Sequence, residues 1–312
     1  MAKQNFTNWL LFVVLALVWG SSFILMKTSA EHLNGLQIGA IRIFAAGVTF
    51  LPWAVFHIFK IPLKKLGIIS LTGLFGNFLP ALLFASAIKA NGESSLASIL
   101  NSLTPLFVIV IGFLFFKSKV QRRKIAGVLI GFAGLVILSL LRGPVSANDN
   151  SLLLILIATV GYGITVNLVS HYLKGIDGFK IASISLAIMA IPATIIMWQQ
   201  NVFNIARYDE ESRWSIVIAC LLGIVGSAIA TGLYYVLIQK AGGLFASLVT
   251  YAIPIVAMFW GLLAHEHITA IQIGCLAMIL AGVYIASANP PAIDSSQSPD
   301  AKKRSDFTTE VP

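Results

Sequence analysis

From Trp9 to Lys27 the chain reads "WLLFVVLALVWGSSFILMK", apolar except for a Trp-Gly-Ser-Ser cluster near the middle. Comparable runs fill the rest of the sequence, at 9–27, 36–57, 66–88, 94–116, 124–141, 151–173, 179–199, 214–238, 244–264 and 270–288, each bounded by charged or turn-forming residues. About 20 consecutive apolar residues suffice to cross a bilayer as a helix. The runs are continuously apolar rather than alternating, and only a helix satisfies its backbone within one such segment, so helices are predicted and not a barrel. Several runs lie so close together that tight turns and antiparallel neighbours follow. The expected fold class is an all-α integral membrane protein with ten transmembrane helices. After Asn289 the pattern stops, and "PPAIDSSQSPDAKKRSDFTTEVP" reads as a disordered extension over 289–312.

Composition agrees with this reading. Of 312 residues 58% are hydrophobic and 11% charged, with a mean hydropathy of +0.90, against about 25% charged in soluble domains. The net charge of +9 points to a membrane surface rather than nucleic acid, because Lys and Arg sit in the short breaks between runs without an aromatic-basic face. With the N-terminus inside, the inner segments hold fifteen of these residues, Lys60, Lys65, Arg122, Lys124 and Lys174 among them; the outer ones hold Lys27, Lys89, Arg142, Arg207 and Arg213. Basic residues favour cytoplasmic loops, which places both termini in the cytoplasm. The first run is too long for a signal-peptide core and is kept as a span. Cys220 and Cys275 fall inside apolar runs, where thiols behave as small hydrophobes. No Walker A loop, HExxH or nucleophile elbow is present, so neither cofactor, metal nor enzymatic activity is expected.

The chain also matches itself. "ASILNSLTPLF" from Ala97 is answered by "ASLVTYAIPIV" from Ala246; Pro105 recurs as Pro254 at an offset of 149, and Ala133-Gly134 as Ala281-Gly282 at 148. A weaker match sets "VWGSSF" beside "VGYGIT" from Val160. Five spans over 1–143 therefore repeat as five over 150–288. Because five is odd, the second copy enters the membrane from the opposite side, the inverted-repeat arrangement that suits alternating access. A secondary transporter or facilitator for a small solute is the expected function; a membrane scaffold or sensor with the same fold is the alternative.

"WGSSFILMK", "GLQIGAIRIFAAGVTFLP", "SLTPLF", "YAIPIVAMFWGLLAHEHITAIQIG" and "ILAGVYI", in this order, resemble the EamA family of the drug/metabolite transporter superfamily over nearly the whole chain. The resemblance implies ten helices in two EamA repeats, a bacterial inner-membrane location, and export of amino acids or related metabolites.

Candidate solute contacts are the polar and aromatic residues inside the runs. Trp19 lies too deep to be an interfacial anchor, and Gly20, Ser21 and Ser22 suit close helix packing or a cavity wall. Arg42 is the one ionisable residue well inside a span, about 9 Å beyond Leu36; a charge there snorkels, bonds backbone carbonyls, or offers a planar fork to a carboxylate. Asn77 sits near Gly76 and Pro80, while Asn101 and Thr104 precede Pro105, which leaves a carbonyl without its helical donor. Tyr162, Asn167, Thr231, Tyr234, Tyr235 and Tyr251 complete the set. No Asp or Glu lies deep in a run, which argues against a buried-carboxylate proton relay. Glu266 with His265 and His267 is the remaining candidate for proton coupling. At the matching turn of the first repeat, "FKSKV" has Ser118 where the family pattern has glutamate. The spacing of Gly127 with Gly131 and of Ala277 with Ala281 reads as helix packing. The expected partners are a small organic solute, zwitterionic or carboxylate-bearing, and the lipid bilayer.

Overall fold

A computed structural model describes residues 2–91, 94–118, 120–140, 150–263 and 270–287. His265, Glu266 and His267, and the polar tail from 289, lie outside them. The described residues form helices and turns without a strand. In chain order these are α1 (Ala2–Ser29), α2 (Gly35–Ile58), α3 (Leu63–Gly73), a widened π turn (Leu74–Phe78), α4 (Leu79–Asn91), α5 (Ser94–Asn101), α6 (Thr104–Phe116), α7 (Arg122–Leu140), α8 (Ser151–Tyr172), α9 (Gly178–Gln199), α10 (Val202–Tyr208), α11 (Glu210–Leu221), a second π turn (Leu222–Ile229), α12 (Ala230–Ala241), α13 (Gly243–Ser247), α14 (Val249–Leu263) and α15 (Ala270–Ser287).

Seven helical stretches are long and apolar enough to cross a membrane: Phe6–Ser29, Gly35–Ile58, Leu63–Ala90, Ser151–Tyr172, Gly178–Gln199, Glu210–Ala241 and Gly243–Trp260. The other three runs form shorter or charge-headed helices. The run over 94–116 is broken between Asn101 and Thr104, with Pro105 seated in the first turn of α6, where the missing N–H costs nothing. The next run, 124–141, lies in α7, which begins with Arg122, Arg123 and Lys124, and the last forms α15.

Local chemistry sets the helix ends. Asn34 caps α2 through the Gln37 N–H while the Gln37 side chain accepts from the Asn34 N–H, a reciprocal capping box. Both side chains also donate to Gln200 at the end of α9, fastening α2 to α9 and fixing the depth of Arg42 two turns on. Asp209 caps α11, and its bonds from the Ser212 hydroxyl and backbone N–H hold the carboxyl below the usual carboxylate range.

The first π turn has a visible cause. Pro80 has no N–H to return to Gly76, and the Leu79 N–H reaches back five residues to the Leu74 carbonyl. Shifted by 149 residues, Leu74–Phe78 falls on 223–227, inside the second π turn.

The bundle exposes large apolar side chains and buries two apolar clusters with neutral polar groups among them. Phe56, Phe115, Trp198 and Tyr284 stand exposed, an arrangement that lipid accepts and water penalises. Among the described residues the buried polar side chains are all Ser, Thr, Asn or Gln. α7 and α15 meet backbone to backbone: a Cβ on Gly127 would sit 2.5 Å from Ala286 N, and one on Gly282 would sit 2.5 Å from Gly127 O. Gly127 and Gly131 therefore pack helices together, as their spacing predicts, but on α15 the contact is made by Gly282 and Ala286, one helical face away from the expected Ala277 and Ala281, which are exposed.

Candidate functional site

α1 presents different faces to different neighbours. Trp19, Ser22, Phe23 and Met26, spaced i, i+3, i+4 and i+7, form one stripe that lines a central cavity of about 70 Å³. On another face a Cβ at Gly20 would collide with Val256 on α14 at 2.5 Å, and Ser21 accepts from the Trp260 indole at 2.8 Å. The Trp-Gly-Ser-Ser cluster thus combines a cavity wall with a packing surface.

The cavity draws its remaining walls from α2, the first π turn, α4, the α5–α6 break, α8, the second π turn, α12 and α14. In the second π turn the Ala230 N–H reaches back to Val225 O, five residues away. The neighbouring Gly226 carbonyl accepts from the Trp19 indole at 2.9 Å and from Arg42 at 3.4 Å. Arg42 Nε donates to the Ser227 hydroxyl at 2.6 Å, and one terminal nitrogen contacts Met26 sulfur at 3.7 Å. A guanidinium has five N–H donors, so two remain after these three contacts. No Asp or Glu lines the cavity among the described residues. The α2 helix can approach this turn because position 223 is glycine, where a Cβ would lie 2.3 Å from the Arg42 carbonyl.

The first π turn supplies a neutral group instead. Asn77 donates to the Tyr235 hydroxyl at 3.3 Å and accepts from Thr231 at 2.9 Å, so its amide joins the first half of the chain to α12. Tyr234 packs edge-on to Trp19, with centroids 4.9 Å apart. Thr104 is turned back onto the Asn101 carbonyl at 2.7 Å. Asn101 Oδ1 and Thr165 Oγ1 are buried on the cavity wall with no hydrogen-bond partner among the described residues. Such orphans in a low-dielectric interior are costly unless water or a solute reaches them.

Ten of the residues singled out in the sequence meet here: Trp19, Ser22, Arg42, Asn77, Asn101, Thr104, Tyr162, Thr231, Tyr234 and Tyr235. Asn167 and Tyr251 do not. Asn167 donates to the Val108 and Gly163 carbonyls at 3.0 and 2.9 Å, and Tyr251 reaches the Val128 carbonyl on α7 at 3.3 Å. At 100° per residue Thr165 shares the face of Tyr162, whereas Asn167 is turned away from it; on α14, Thr250 and Ile253 face the cavity and Tyr251 lies between them in sequence. Thr165, Ser227 and the Gly226 carbonyl were not foreseen. Thr165 had a signal, its i+3 spacing from Tyr162; a backbone carbonyl has none.

The EamA-like transporter family model matches residues 7–140 and again 150–288. The chain belongs to the EamA-like transporter family. It is similar to an uncharacterized transporter of Archaeoglobus fulgidus, 25% identical over 281 residues that cover 89% of this chain and 98% of the relative. The uncharacterized inner membrane transporter YedA of Escherichia coli K12 is also 25% identical, with 88% of each chain covered. A "probable amino-acid metabolite efflux pump" of Salmonella typhimurium is 24% identical, covering 88% of this chain and 92% of its own. A solved crystal structure shares the fold with a TM-score of 0.64 at 17% identity, over 90% of this chain and 96% of that one. The EamA family is one of transporters, so a small solute and membrane lipid are the partners its members work with.

Proposed function

We propose that this EamA protein carries small carboxylate-bearing organic solutes, amino acids or related metabolites, outward across the inner membrane by alternating access. The observation that carries the reading is Arg42: a guanidinium with two spare N–H groups and no carboxylate partner, lining a cavity between the two halves of the chain. A planar fork of this kind matches a carboxylate. The orphaned Asn101 and Thr165 oxygens supply acceptors for a donor group elsewhere on the same solute.

The architecture we infer is ten spans in two inverted five-helix repeats, with both termini in the cytoplasm. Supporting it are the two family matches of similar length, the internal offset of 149, and the π turns that recur at that offset. In a cavity of about 70 Å³ there is room for a few waters, so solute entry requires the halves to part, and rocking about the two widened turns provides that motion.

The test is release of mixed labelled amino acids and carboxylates from proteoliposomes, with and without a pH gradient. Arg42→Gln is expected to cut release at least tenfold. Asn101→Leu removes an oxygen without a hydrogen-bond partner among the described residues, so it is expected to lower release while leaving the melting temperature unchanged. Release confined to the gradient would direct attention to Glu266 and His265. Absence of release for every solute overturns the proposal.

A further inference from the structure

A second cavity, of about 530 Å³, opens between the ends of α6, α8 and α12 and the starts of α7 and α13. It is within the range of ligand clefts, about 300–1,000 Å³. Lys124 and Lys174 line it together with Ser118, His171 and Gln239, and no carboxylate does so among the described residues. The acidic residue nearest in sequence, Asp177, caps α9 through the Lys180 N–H and lines a separate hollow with Lys60, Lys65 and Lys180. His171 is held in place: its Nδ1 lies 2.9 Å from the Asn167 carbonyl, to which it donates, leaving Nε2 to accept from Ser118 at 3.1 Å.

Thr165 on the central cavity and Asn167 on this one stand two residues apart on α8, beside its seam with α6. The seam is tight, since a Cβ on Gly163 would meet Phe107 at 2.8 Å and one on Gly112 would meet Asn167 Oδ1 at 2.9 Å. The Asn167 amide clasps the Val108 carbonyl across it. Two neighbouring cavities therefore carry fixed positive charge and no fixed negative charge. Such a lining concentrates anions and repels cations, and the ammonium groups act as point charges with no geometric demand on the ligand.

We propose that this vestibule is a binding site for small organic anions, a carboxylate or phosphate group lodging between Lys124 and Lys174 with the second N–H of the Gln239 amide, whose first is held by the Ile176 carbonyl, as its neutral donor. As the antechamber of a route to Arg42 it rests on the transport reading above; as an anion site it stands on its own lining. The solute class it selects carries net negative charge, which sets it apart from a neutral zwitterion.

The test is equilibrium binding of labelled succinate, inorganic phosphate, alanine and putrescine to the full-length protein in phosphatidylcholine nanodiscs. Succinate and phosphate are expected to bind, to weaken severalfold between 20 and 200 mM NaCl as screening grows, and to lose at least tenfold in affinity in Lys124→Gln/Lys174→Gln. Arg42→Gln is expected to leave this component in place. Lys174→Gln alone, at an exposed position, serves if the double variant does not fold. Repeating the assay with phosphatidylglycerol separates the two sources of the anion: displacement of succinate shows that a lipid headgroup occupies the same site. Equal binding of all four probes, or anion binding unchanged in the lysine variants, overturns the proposal. If wild-type proteoliposomes show no flux, the transport reading falls and these binding results decide the vestibule by themselves.

Discussion

The two widened turns occupy matching places in the two halves of the chain and do different work. Leu74–Phe78 is forced by Pro80 and presents a side chain, the Asn77 amide, whose oxygen and nitrogen are both partnered across the halves. Leu222–Ile229 contains no proline and presents backbone, the Gly226 carbonyl, together with the Ser227 hydroxyl, to a cation from α2. One break closes a neutral contact; the other seats a charge and leaves part of it unspent. The two halves carry the same irregularity at matching places, and the few residues around it decide what each presents to the cavity.

That comparison can be broken at three points. The largest effect is expected from Asn77→Leu, which strands the buried Thr231 hydroxyl at about 1–3 kcal/mol and leaves the Tyr235 hydroxyl with Thr72 alone; the melting temperature and solute release should fall together. Ser227→Ala comes next. It removes the acceptor of a charge-assisted bond, worth about 1.5–3 kcal/mol, and loosens the guanidinium, so the apparent KM for solute should change more than the maximal rate. The smallest is Trp19→Phe, which keeps a ring against Tyr234 but deletes the donor to Gly226 O, a neutral bond of about 1 kcal/mol. Flux should drop a few-fold there. If Asn77→Leu and Ser227→Ala behave alike in both melting temperature and KM, the division of labour between the turns is wrong.

Much of the helical layout was legible because apolar runs and charged breaks are direct readouts of burial in lipid. The Trp19 and Ser22 positions and the isolation of Arg42 were equally visible, since polarity within an apolar run needs a local reason. Three kinds of information were not. The break between Asn101 and Thr104 shortens what reads as one continuous span, because proline ends a helix more sharply than hydropathy indicates. The second π turn has no proline to announce it, so the carbonyl it offers to Trp19 and Arg42 could not be foreseen. Residue type also failed to distinguish faces: Tyr251 and Asn167 have the chemistry of cavity residues, but the helical phase of α14 and α8 turns them to the Val128 and Val108 carbonyls.

Arg42 has one more consequence, which concerns voltage. An elementary charge moved through a full potential of 100 mV exchanges about 2.3 kcal/mol with the field. A univalent anion seated on the guanidinium cancels its charge, so on the proposed reading the loaded protein is nearly indifferent to the membrane potential while the empty protein is not. The electrical work of each cycle then falls on the return without cargo, and a steady potential sets how fast the carrier resets more than how fast it delivers.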